Sequence, residues 1–111
     1  MSNRTVMLPE VTATASITFT FERLERLEEY FEGAGWYGII MDAMEPPRPS
    51  IIRKVLEIGL DNAEADLVLK HLNVSQVTRK VGDALFLALR GKTLTELEVE
   101  QVQAKAQGKA R

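Results

Sequence analysis

Residues 11 to 21 read V-T-A-T-A-S-I-T-F-T-F, with every odd position apolar and every even one Thr or Ser. Period-two alternation is the signature of a half-buried strand, and Thr suits a pleated surface. A lone strand leaves its backbone donors and acceptors unpaired, so this segment cannot fold without a partner. Two partners fit. One is Thr5 to Leu8, brought back by a turn at Pro9-Glu10 to form a hairpin. The other is a strand from a second copy, because a long exposed edge invites pairing between chains. On that reading Val11, Ala13, Ala15, Ile17 and Phe19 mark a self-association strand.

The rhythm then changes. Apolar residues at Leu24, Leu27 and Phe31 predict a helix over 21–32 with Thr20 as N-cap. Glu22, Glu25, Glu28, Glu29 and Glu32 form a one-sided acidic band, with Arg23 and Arg26 opposite and Glu22/Arg26 spaced as a favourable pair. The glycines of "GAG", residues 33–35, stop this helix. A short helix over 36–44 packs through Trp36, Ile39, Ile40 and Met44, and "EPPRPS" imposes an extended connection. Ser50 caps a helix over 50–60 whose broad apolar face (Ile51, Ile52, Val55, Leu56, Ile58, Leu60) predicts the most buried helix of the fold. Asp61-Asn62 breaks the chain and caps a helix over 63–72. Ser75 caps another over 75–90, with a stripe of Val77, Val81, Ala84, Leu85, Ala88 and Leu89. Phe86 and Leu87 fall off that stripe, and Gly91 ends the helix. Thr95-x-x-Glu98 has capping-box spacing and opens a weakly amphipathic helix over 95–106, after which "AKAQGKAR" frays.

The fold class expected is mainly α (α+β): a small helical domain of five to six helices with an N-terminal strand or hairpin. Residues 1–92 form the domain, and 93–111 a C-terminal helix and flexible tail. Ile52, Val55, Leu56, Leu69, Val81 and Leu85 are the expected centre of the core.

At 111 residues the chain has the size of one domain and needs no metal or crosslink to bury a core. It has no cysteine, which removes disulfides, thiolate metal sites and thiol nucleophiles. No apolar run approaches the roughly 20 residues that cross a bilayer, and the N terminus lacks the apolar region of a signal peptide, so a cytoplasmic protein is expected. The net charge of −2 argues against nonspecific nucleic-acid binding, but it is unevenly spread: residues 1–45 hold eight acids and three bases, residues 46–111 eight acids and eleven bases.

Catalytic material is sparse. His71 is the single histidine, expected to be a partly buried structural residue, and nothing nearby completes a metal site or a triad. Glu25, Glu28, Glu29 and Glu32 lack the Glu-x-x-His partners of di-iron bundles and read as a solvated face. "GAGWYG" follows a helix, whereas a nucleotide-binding glycine loop follows a strand. "SQVTRK" loosely fits the start of a recognition helix, but the same helix is needed for the core. No enzyme and no cofactor are expected.

The order of these features resembles the small tail assembly chaperones of long-tailed bacteriophages, prophages and gene transfer agents. Those proteins carry a strand leading into a Phe-x-x-Leu-x-x-Leu-Glu-Glu helix, matched by Phe21, Leu24, Leu27, Glu28 and Glu29. They also carry an aliphatic-Gly-Leu helix end, like Ile58, Gly59 and Leu60, and a late Ala-Leu-rich helix like Ala84 to Leu89. The likeness spans residues 15 to 92 as a pattern and departs at Thr20, where the family often has Asp. It implies a noncatalytic helper in the cytoplasm of the bacterial host that coats the tape measure protein, helps recruit tail tube protein and is absent from the mature virion. It also implies that a ribosomal frameshift near the C terminus can extend the product, for which Gly108-Lys109 is better placed than Gly91-Lys92.

Such a helper needs apolar side chains beyond its own core and a means of self-association. Trp36, Tyr37, Phe86 and Leu87 are the surplus partner-binding candidates, and a homo-oligomer is expected. Two other readings stay open, a helical protein-interaction module and a small DNA-binding regulator.

Overall fold

The alternating segment finds its partner inside the chain. In the computed structural model, which describes residues 5–109 with the side chains of 94 and 103–109 excepted, Thr5–Met7 (β1) pairs antiparallel with Ser16–Thr18 (β2), with Val6 opposite Ile17. The turn at Pro9-Glu10 is closed by the Val11 N–H donating to Leu8 O at 2.9 Å. The strand is far shorter than the alternation predicts. Thr12 Oγ1 accepts from the Ala15 N–H at 2.9 Å, a local turn that withdraws residues 11–14 from the pairing, which resumes where the Leu8 N–H donates to Ala15 O at 2.9 Å. Ser16, on the polar row of the pattern, is buried.

The second edge of β2 is also closed. Leu60–Asp61 (β3) pairs antiparallel with it, giving the order β1-β2-β3. The strand expected to offer an edge to another copy is therefore the centre of a three-stranded sheet. Of the residues assigned to it, Ala15, Ile17 and Phe19 lie in the core, while Val11 and Ala13 sit in the connecting loop.

Six α-helices follow among the described residues: α1 Phe21–Tyr30, α2 Trp36–Met44, α3 Pro49–Gly59, α4 Ala65–His71, α5 Val74–Arg90 and α6 Leu94–Lys109. The expected mainly-α fold with an N-terminal hairpin is thus what forms. Thr20 caps α1, its hydroxyl accepting from the Arg23 N–H at 3.2 Å, and Gly91 ends α5 in the left-handed region at φ 76°.

The other caps lie elsewhere than the sequence suggests. Arg48 is the N-cap of α3, with Pro49 at the first helical position, where its missing N–H costs nothing. Asn73, not Ser75, caps α5 through a reciprocal box with Gln76, both bonds 2.8 Å. The box at α6 is Thr93/Glu96, two residues before Thr95/Glu98, and α6 runs helical to Lys109 where fraying was expected. The last two residues of that tail lie outside the described range. Asp61 does not cap α4, which starts after Glu64. Its carboxylate is taken by Arg23.

That pairing staples the start of α1 to the sheet. The Arg23 guanidinium donates to Asp61 at 2.7 and 2.9 Å and to the carbonyls of Thr18 (2.8 Å) and Gly59 (3.2 Å). The hydrogen bond from Arg23 holds the Asp61 carboxyl below its ordinary range against the opposing effect of partial burial. A depressed carboxyl pKa contributes stability above its unfolded value of about 3.9, and that contribution disappears as pH falls through the folded value. Asp61→Asn is therefore expected to cost stability at pH 7, by about 1 kcal/mol or less because the pair is partly solvent-screened. The gap to the parent protein should close as urea melts are carried down through the carboxylate range. A gap that stays constant to acid pH would show that the ionised pair contributes nothing.

The core is organised on α5. It contacts the sheet, α3, α4 and α6, and buries eight of its 17 residues, against four of 11 for α3. The helix expected to be most buried is thus second to the one whose length lets it reach the sheet and three other helices. Ile52, Val55, Leu56, Val81 and Leu85 are buried as predicted, whereas Leu69 is only partly covered and Leu89 is exposed.

Candidate functional site: an apolar groove and an aromatic knob

Short α4 leaves a gap. It spans seven residues, ends when the Leu72 N–H bonds Val68 O, and gives way after one further residue to α5. Between it, the first turns of α3 and the start of α5 lies a groove of about 530 Å³. Ile52, Leu69, Leu72, Val74 and Val77 make its apolar wall. Its charged lining residue, Arg53, is already engaged, donating to Glu57 at 3.3 Å and pairing with Asp66. No buried side-chain nitrogen or oxygen among the described residues lacks a partner. The groove can therefore offer apolar contact and shape, and its volume falls in the range of sites that accept ligand or partner side chains.

A second apolar feature lies on α1 and α2. Phe21 leaves the strand pattern at the first position of α1, where its side chain is 80% exposed, although the alternation groups it with the buried Ile17 and Phe19. With Leu24 and Trp36 it lines a shallow cleft that Glu25 and Glu28 flank.

The residues predicted from sequence divide between surface and interior. Trp36 and Tyr37 are half-buried at the start of α2, their rings edge-on with centroids 5.8 Å apart. Phe86 and Leu87 are not available to a partner: each is 8% exposed, and the Arg90 guanidinium lies 5.6 Å from the Phe86 ring centre. Both belong to the fold's own packing, because α5 is covered on more sides than one stripe requires. His71 is exposed, not partly buried, with Nδ1 3.0 Å from Leu67 O. Glu25, Glu28, Glu29 and Glu32 are exposed.

The segment "SQVTRK" is occupied by structure. Gln76 completes the cap, Val77 and Thr78 are buried, and Arg79 is held by Glu98 (2.8 and 3.0 Å) and Thr95 (3.0 Å). Few of its side chains are left to read base edges.

The groove itself went unread in the sequence. Val74 precedes Val77 and Val81 at helical spacing, so the α5 stripe extends one turn further once Asn73 is recognised as the cap. That turn, projecting past α4, is the signal that locates the groove. Comparisons with protein families, characterised proteins and solved structures give no match to this chain.

Proposed function

We propose that this protein is a noncatalytic tail assembly chaperone of the kind that serves long-tailed phages, prophages and gene transfer agents. It binds the tape measure protein in the host cytoplasm, helps bring up tail tube protein, and leaves before the virion matures. The observation that supports the reading is the open apolar groove bounded by α3, α4 and α5. A tape measure protein is a long helix with apolar faces, and laying one side of an amphipathic helix into such a groove is a general mode of peptide recognition. Leu69 and Val74 line the groove and offer apolar contact to such a helix, while Arg53 is already paired with Glu57 and Asp66. A frameshifted extension after Gly108-Lys109 would begin at the C-terminal end of α6.

Co-expression with the tape measure protein encoded nearby tests the function. The parent protein is expected to keep it soluble, and Val74→Asp to lower the soluble fraction several-fold while the chaperone stays folded, since Val74 is 42% exposed. A tape measure protein equally soluble with and without the partner would refute the proposal. Duplex-DNA binding that weakens steeply with salt would favour the regulator instead.

A further inference from the structure

We infer that the groove is also the socket for a second copy of this chain, and that the plug is Phe21. The fold makes no use of the Phe21 ring, which stands 80% exposed beside Leu24 and Trp36. A buried aromatic side chain removes roughly 150–250 Å² from water, and such residues dominate interfaces when they enter an apolar pocket. The groove walled by Ile52, Leu69, Leu72 and Val77 has room for the ring in its 530 Å³. Of its polar lining residues, Asn73 is engaged by Gln76 and Arg53 by Glu57 and Asp66.

Charge favours the same match. Around Phe21, Glu25 and Glu28 are exposed without ion pairs among the described residues, Arg26 is paired with Glu22, and Arg23 is turned inward to Asp61. Beside the groove, Arg48 precedes the lining Pro49 and Lys70 follows the lining Leu69, both exposed and without an ion pair among the described residues. Arg53 and Asp66 at the rim neutralise each other. An acidic surround around the plug thus meets two free cations around the socket, which steers encounter and sets orientation.

Plug and socket are different surfaces, so the contact is head-to-tail: each copy offers a plug to one neighbour and a socket to another, and assembly either closes into a ring or continues. This basis for self-association replaces the strand edge, which β1 and β3 have closed. The groove cannot hold a Phe21 ring and a tape measure helix at once, so the second copy occupies it in the free protein and the tape measure protein displaces that copy. The inference shares the groove with the proposed function, but its test contains no tape measure protein, so either can fail without the other.

Sedimentation velocity over a concentration series provides the test. The parent protein is expected to grow beyond the 12.4 kDa monomer as concentration rises. Phe21→Ala, which lacks the plug, and Val74→Asp, which spoils the socket rim, should each remain monomeric with the parent's circular dichroism. Val74→Lys serves if the aspartate variant misfolds. Mixing the two monomeric variants is the deciding measurement. One retains a sound socket and the other a sound plug, so the mixture should form dimers and stop there. A parent protein that stays monomeric at every concentration overturns the inference. So does assembly that survives Phe21→Ala, or a mixture that fails to dimerise or grows past the dimer.

Discussion

Leu85→Ala is expected to destabilise the fold by about 2–5 kcal/mol, the range for deleting a fully buried leucine side chain and leaving a cavity. Leu85 is 0% exposed on α5, the helix that touches the sheet and its helical neighbours, so no neighbour is free to move in and fill the space. Total stability for a domain is about 5–15 kcal/mol, so the variant is left with a much reduced margin. Leu89→Ala is the informative control. It lies one turn further along the same stripe, yet is 39% exposed, and should cost only about 1 kcal/mol. Urea titrations of the two variants should differ in midpoint and not in slope. Equal midpoints would mean that the core is not centred on α5.

Gly59→Ala is expected to cost about 1–3 kcal/mol, the range for overpacking a close-packed core. A methyl group at this position would meet Phe19 Cε1 and Cζ at 2.7 Å and Ile17 Cγ2 at 3.0 Å. Both neighbours are buried, Ile17 on β2 and Phe19 just beyond its end, so neither has open space to turn into. Alanine favours the helix over glycine by about 0.5–1 kcal/mol, which offsets part of the loss without reversing it. Gly59→Val, with two further carbons, should be worse. The double variant Gly59→Ala/Phe19→Leu should be more stable than the sum of its parts, with a coupling of at least about 0.5 kcal/mol. Gly59→Ala as stable as the parent would show that the helix end has slack. The requirement also accounts physically for the Ile58-Gly59-Leu60 sequence: Ile58 packs on the core, Gly59 lets α3 touch the Phe19 ring, and Leu60 starts the strand that seals the sheet.

The elements read best from sequence were those whose signal is local. The periodicity of α1, α2, α3 and α5 comes from one helix meeting one core, and Thr20 and Gly91 act on backbone groups within their own turn. Misplacements arose where two local solutions compete. Asn73/Gln76 and Ser75 are both sound caps for α5, as Thr93/Glu96 and Thr95/Glu98 are for α6. The choice falls to tertiary demand: starting α5 at Val74 extends its stripe by a turn, and Thr95 and Glu98 are used to bond Arg79. The alternation of residues 11–21 was misleading in length, because Thr12 offers the backbone a partner nearer than any strand.

The sequence by itself determined that this chain is a mainly helical domain with an N-terminal strand or hairpin, that its core includes Ile52, Val55, Leu56, Val81 and Leu85, and that its acids gather on α1. Those properties follow from period, composition and caps, all of which act over a few residues. Only the tertiary structure decided which apolar residues remain outside. Phe86 and Leu87, off the stripe, are buried because α5 is covered on several sides. Phe21, on the strand pattern, is exposed because the helix starts there and turns it away. The groove exists because seven-residue α4 is too short to fill the space beside α3 and α5. Whether an apolar side chain serves the core or a partner depends on what other elements reach it, and that is a property of their packing and not of their period.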